Sequence, residues 1–199
     1  MKRNKWLIPG IIGGVVLLLI ITVVGSYNGL VGQREDVRKS FANVQTQYQR
    51  RADLVPNLVS TVKGAADFEQ STLTQVTEAR AKATSISIDP SKATPQQLQQ
   101  YQASQSELSQ ALGRLLAVTE NYPQLTATQN FQDLQAQLEG TENRIAVARK
   151  DFNDTAATYN ARIQRFPAAI VAGIFNFDQF TYFQADAGAE KAPTVNFGQ

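Results

Sequence analysis

Glu139 and Glu142 stand three residues apart, a spacing that puts both carboxylates on one face of a helix. Such a pair is what a general acid and base need, or two ligands of a hard metal ion. The surrounding run, Glu139-Gly140-Thr141-Glu142-Asn143-Arg144-Ile145 to Arg149-Lys150-Asp151, interleaves acids with bases. Faces of that kind usually meet solvent or lock one helix to another. Glu142 can reach Arg149 two turns on, or a partner on another helix. The structural reading is therefore preferred. A second dense stretch is Arg50-Arg51-Ala52-Asp53-Leu54-Val55-Pro56-Asn57-Leu58-Val59, where three charges and a proline interrupt an apolar period. Asp53 can accept from the backbone N–H of Val55 or Asn57, or pair with Arg50.

The chain holds no histidine and no cysteine, which removes the commonest general base, the thiolate nucleophile and the usual zinc ligands together. There is no glycine-rich phosphate loop. No catalytic residue, cofactor or metal is assigned. Asn153-Asp154-Thr155 matches a glycosylation acceptor, but it falls inside a helical pattern and reads as accidental. Tyr27 and Tyr159 read as rim or core residues.

The elements that must position these groups begin with a membrane helix. From Trp6 to Val24 there is no charged side chain, and Thr22 is the one polar residue. At 1.5 Å per residue the run spans roughly 28 Å, close to the ~30 Å hydrocarbon layer. It is longer than the ~7–15 residues of a signal-peptide core and ends in a weak cleavage site, so a retained anchor is expected. Gly10-Ile11-Ile12-Gly13-Gly14 carries the spacing that lets two such helices pack, although glycines tolerated in a lipid-facing helix are the plainer reading. Lys2, Arg3 and Lys5 precede the run, leaving 16 of the 19 basic residues against 17 acidic ones beyond it. The rest is near neutral, so nucleic acid loses its electrostatic argument as a partner. The basic N-terminus favours an extracytoplasmic bulk, while Arg34, Arg38 and Lys39 count against it.

Beyond the anchor, three stripes of helical spacing dominate. The first runs Leu30, Val37, Phe41, Val44, Tyr48, Val55, Leu58 and Val62, with Arg34 and Arg51 or Ala52 in the intermediate places. The second runs Leu98, Tyr101, Gln105, Leu108, Leu112, Leu115, Thr119 and Tyr122. The third takes Phe131, Leu134, Leu138, Thr141, Ile145, Ala148, Phe152, Thr155, Tyr159, Arg162 and Phe166. Thr94-Pro95-Gln96-Gln97 reads as a capping box, and Thr128 or Asn130 as the cap of the last helix. The fold expected is all-α: a transmembrane helix, then an elongated antiparallel bundle of about three long helices. Pro56 is expected to kink a helix that continues through it. The divisions are a basic tail over 1–5, the anchor over 6–25, the bundle over 26–167 and an aromatic-rich segment over 168–184. A disordered tail is expected over 185–199. Phe175, Phe177, Phe180, Tyr182 and Phe183 either close the bundle end or enter the membrane interface.

Two stretches carry a family likeness: "SYNGLVGQREDVRKSFANVQTQYQRRADLVPNLVSTVKG" over 26–64, and "ENYPQLTATQNFQDLQAQLEGTENRIAVARKDFNDTAATYNARIQRFP" over 120–167. In order and length they resemble the LemA family of bacterial membrane proteins, from Tyr27 to Phe183. Matching positions include Arg50, Arg51, Asp53, Pro56 and Asn57, then Glu139, Glu142, Asn143 and Arg149. Phe152 departs from the tyrosine common in the family. The resemblance implies a single-pass, membrane-anchored helical bundle without established catalysis, and it transfers no catalytic residue. It implies a cytoplasmic helical part, opposite to the charge-based lean. Through gene neighbourhood it implies membrane zinc metalloproteases of the HtpX type or TPM-domain proteins as partners. The function expected is a non-enzymatic scaffold for protein partners or for its own copies, a homo-oligomer, in the bacterial envelope. Lipid binding or membrane remodelling is the alternative, and a hydrolase using Glu139 and Glu142 is a distant third.

Overall fold

A computed structural model describes residues 7–64 and 69–185. The basic N-terminal residues and all but Ala185 of the expected disordered tail therefore lie outside the described residues. Among the described residues there are six helices: α1 (Leu7–Lys63), α2 (Gln70–Ser85), α3 (Pro95–Thr119), α4 (Pro123–Thr126), α5 (Gln129–Ile163) and α6 (Ala168–Phe175). Among the described residues there is no strand.

α1 is one helix of 57 residues that serves as both the apolar span and the spine of the bundle. Its first part buries nothing against the rest of the protein; Leu18, for example, is 66% exposed. Burial begins at Leu30 and follows the first stripe through Val62. α5 lies antiparallel beside it. Phe41 meets Phe152, and ten residues further along α1 Arg51 meets Glu142, ten residues earlier on α5. That register sets Ile163, the last residue of α5, level with Leu30. α2 and α3 form a second hairpin, and α2 joins it to α1.

The run between the first and second stripes holds α2, a separate helix for which only Leu73 and Val76 gave a large apolar signal. Thr72, Ala79 and Ala83 complete its buried face. Small residues allow close approach, but they hide the periodicity. The start of α3 follows the expected capping box: Gln97 N–H donates to Thr94 Oγ1 at 3.2 Å, and Thr94 N–H donates to Gln97 Oε1 at 2.9 Å. Thr128 occupies the cap position of α5, but its hydroxyl donates back to Leu125 O instead of capping.

The third stripe drifts. Thr155 is half-buried, while Arg162 and Phe166 are exposed; Ala156, Asn160 and Ile163 take the buried places. A strict 3.5-residue step loses about 20° per heptad against a real helix, and over the length of α5 that rotates the stripe off the core.

α1 passes through Pro56 without a break. Proline has no N–H, so the carbonyl of Ala52 loses its intrahelical donor. Arg80 of α2 replaces it, with Nε donating to Ala52 O at 2.8 Å. The proline thus opens a backbone acceptor on a buried face, and a neighbouring helix docks there.

The core divides in two. The cluster nearer the span contains Leu30 to Tyr48 of α1, Ile145 to Ile163 of α5, Leu98 and Tyr101 of α3, and Phe177, Phe180 and Phe183. The distal cluster contains Leu54 to Val62, the buried face of α2, Leu108 to Leu115, Leu125, Phe131 and Leu138. Arg51 falls between them.

Candidate functional site

Arg51 sits on the apolar stripe of α1 and is 1% exposed. Its guanidinium lies over the Tyr48 ring, 5.3 Å from the centroid. Nη1 donates to Glu142 Oε1 at 2.7 Å and to Ser109 Oγ. Nη2 donates to Gln105 Oε1 at 2.7 Å and to Gln105 O at 3.1 Å. One planar cation therefore ties α1 to α3 and α5 at the plane separating the two cores. A buried charge is tolerated only when paired and hydrogen-bonded, and the fork geometry of arginine supplies several bonds at once. Ser109 also donates to Glu142 Oε1 at 3.2 Å, and Gln105 Nε2 donates to Ala83 O at 2.9 Å, which draws in the end of α2.

Above this junction, between α3 and α5, opens a cleft of about 670 Å³. α3 lines it with Gln99, Gln102, Ser106, Ser109 and Gln110; α5 lines it with Glu142, Ile145 and Arg149; Tyr48 and Arg51 form the floor. The lining is carboxamide and hydroxyl, suited to holding polar groups. Among the described residues no group of three or more acidic side chains is placed to hold a metal ion.

The sequence-derived candidates separate. Arg51 and Glu142 meet, whereas Glu139 turns away and accepts from Gln135 Nε2 at 3.0 Å. The two glutamates therefore do not form a facing acid–base pair. Glu142 finds a cation on another helix, Arg51 of α1. Asp53 is exposed and accepts from Gln49 Nε2 at 2.7 Å, in place of Arg50 or a backbone N–H. Arg50, Pro56 and Asn57 are exposed on the outer face of α1. Asn143 lies in a separate shallow groove of about 370 Å³ between α1 and α5, beside Asn43, Gln47 and Val147.

Arg149 donates to Gln184 O at 2.8 Å and covers the Phe183 ring at 5.3 Å. It belongs to a set of side chains that grip the extended backbone after α6. Asn160, itself buried, clamps Phe180 at both backbone groups: Nδ2 donates to the carbonyl at 2.8 Å, and Oδ1 accepts from the N–H at 2.9 Å. Asn153 does the same at Phe183, with both bonds at 2.9 Å. Gln102 of α3 donates to Gln184 O at 2.8 Å. Between these clamps Phe177, Phe180 and Phe183 turn inward, and Phe183 stacks on Phe41 with centroids 6.1 Å apart. The aromatic segment thus packs from the span-proximal end of the bundle, at Tyr27, along its flank to Phe41, while Phe175 and Tyr182 stay exposed.

Sequence reasoning missed Ser109, Arg80, Asn153 and the clamping role of Asn160. Arg51 gave a usable signal, a charge on an apolar stripe opposite Gln105 on another. The asparagines gave none, because a carboxamide on a solvated helix face looks the same whether or not a backbone passes over it.

The sequence model described as the LemA family matches residues 40–197. The chain belongs to the LemA family. Magnetosome protein MamQ 2 of Paramagnetospirillum magneticum is 28% identical over 190 residues, covering 85% of this chain and 68% of the relative. Magnetosome protein MamQ of Magnetospirillum gryphiswaldense is 28% identical over 189 residues, covering 84% and 68%. Protein LemA of Metamycoplasma hominis is 24% identical over 177 residues, covering 85% and 77%. None of these names states an enzymatic activity. With its apolar N-terminal helix, this LemA-family chain is a membrane-associated helical protein.

Proposed function

We propose that this LemA-family chain is a membrane-anchored, non-catalytic scaffold that presents a helical rod to protein partners or to further copies of itself in the bacterial envelope. The observation that carries the proposal is α1, one uninterrupted helix from the apolar span to the distal core. A bundle built on the anchor itself moves with the span as one body and carries its binding surfaces out from the bilayer. That arrangement suits a scaffold and adds nothing to a hydrolase. The chemistry of the cleft supports the same reading: its one buried cation is committed to Glu142, Gln105 and Ser109, which leaves carboxamides to meet a partner. Glu139 and Glu142 have separate structural partners, which weighs against their acting as a catalytic pair.

Candidate partners carried by the family resemblance are membrane zinc metalloproteases of the HtpX type and TPM-domain proteins. The basic residues before the span favour a bundle outside the cytoplasm, against Arg34, Arg38 and Lys39 after it, and protease accessibility in spheroplasts tests that orientation. Crosslinking of the full chain in native membranes tests the scaffold itself. It is expected to return homo- or hetero-adducts; recovery of the isolated monomer alone across growth conditions sinks the proposal.

A further inference from the structure

The register of α1 against α5 fixes where α6 stands relative to the membrane span. Tyr27 lies three residues past Val24, the last residue of the uncharged run, which is about 4.5 Å along the helix axis. The Phe175 ring packs edge-on against Tyr27 with centroids 4.8 Å apart, and the Phe177 ring meets it at 5.6 Å. α6 is thereby pinned at the height where α1 leaves the hydrocarbon layer.

α6 carries no polar or charged side chain in the sequence AAIVAGIF. It buries Ala168, Val171 and Ala172 against the bundle. Its other face is bare: Ile170 is 54% exposed, Ile174 65% and Phe175 48%, and Phe166 just before it is 82% exposed. Arg162 and Arg165, both exposed, precede Phe166 by four residues and by one. Apolar and aromatic side chains with arginines at their margin match the boundary between acyl chains and headgroups.

We propose that α6 and Phe166 form a second membrane contact, an interfacial foot inserted in the leaflet from which α1 emerges, with Arg162 and Arg165 toward the headgroup phosphates. The occupant of this face is lipid and not another protein chain, because the face is continuous with the span through Tyr27 and sits at its rim. The foot goes beyond the scaffold reading and does not depend on it. A helix crossing the bilayer alone leaves the bundle free to rotate and tilt, whereas a second contact on one side fixes both.

The chain has no cysteine, so a single introduced one reports without background. Ile174→Cys and Phe166→Cys are labelled with a nitroxide in the full chain and reconstituted at one chain per lipid nanodisc. Val147→Cys, 58% exposed and midway along α5, serves as the aqueous reference. The expected result is that oxygen relaxes the labels at 166 and 174 several-fold more than a water-soluble nickel chelate does, with the order reversed at 147. Labels at 166 and 174 that behave like the one at 147 overturn the proposal. Protection that appears only with two or more chains per disc also overturns it, since a second copy would then cover the face.

Discussion

At the scale of single residues, Arg51 shows how a buried charge specifies an arrangement that apolar packing alone leaves loose. Two cores stacked along one helix pair could slide by a turn; a cation with partners on α3 and α5 penalises every other register. Arg51→Ala is expected to destabilise the bundle by about 3 kcal/mol, because Gln105 loses its partner inside the core. Arg51→Lys keeps the charge without the fork and should recover less than half of that, whereas Glu142→Gln keeps an acceptor but leaves the buried guanidinium without its counter-ion and should cost about 2 kcal/mol. Denaturant unfolding of the three variants in detergent orders them; equal losses would show that the fork geometry is irrelevant. The neighbouring Tyr101 adds a pH dependence. Burial, and then the nearby Tyr48, raise its phenol well above the usual value. The neutral form is the one the fold favours, so its contribution is complete below about pH 10 and is lost as pH rises above that. Alkaline unfolding should therefore shift to higher pH in Tyr101→Phe.

At the scale of elements, the proline in α1 is a docking feature as well as a break in the hydrogen-bond ladder. If Arg80 satisfies the carbonyl that Pro56 exposes, the two residues must be coupled. Arg80→Ala should cost about 1–2 kcal/mol in the native background, since it strands a buried acceptor. It should cost clearly less beside Pro56→Ala, where the new N–H can reach Ala52 O. A double-mutant cycle measures that difference, and additive losses would remove the coupling. The extended tail gives a parallel case: Asn160→Ala frees Phe180 at both backbone groups and should speed hydrogen exchange across residues 177–184 while leaving α1 and α5 protected. These two features also mark how far the sequence could be read. Stripes of large apolar residues such as Phe41, Val44, Leu108 and Leu112 were legible because volume and period coincide. α2 was not, because two of its five buried residues are alanine and a third is threonine. Nor were the Asn153 and Asn160 clamps, since the backbone they grip arrives from some 20–30 residues away in sequence.

At the scale of the whole molecule, α1 makes the anchor and the bundle one body. From Tyr27 to Lys63 the helix continues for 36 residues, or about 54 Å, so a bundle standing along the membrane normal carries its distal core that far from the bilayer. Ser60 is exposed near that end, and a single cysteine there places a donor dye about 50 Å from headgroup-labelled acceptor lipids. Energy transfer in liposomes should then report a distance on the order of 50 Å with a narrow spread. A bundle lying on the surface would bring the same dye to within about one bundle width, roughly 20–25 Å. Inserting four glycines after Gly25 tests the source of the stiffness. Glycine disfavours helix by about 1 kcal/mol per residue, so the insert interrupts α1 between span and bundle while leaving both cores intact. If α1 alone holds the rod upright, the distance should shorten and broaden. If the contact at α6 shares the task, the distance should broaden less, and the full effect should require Ile170→Ser and Ile174→Ser in the same chain.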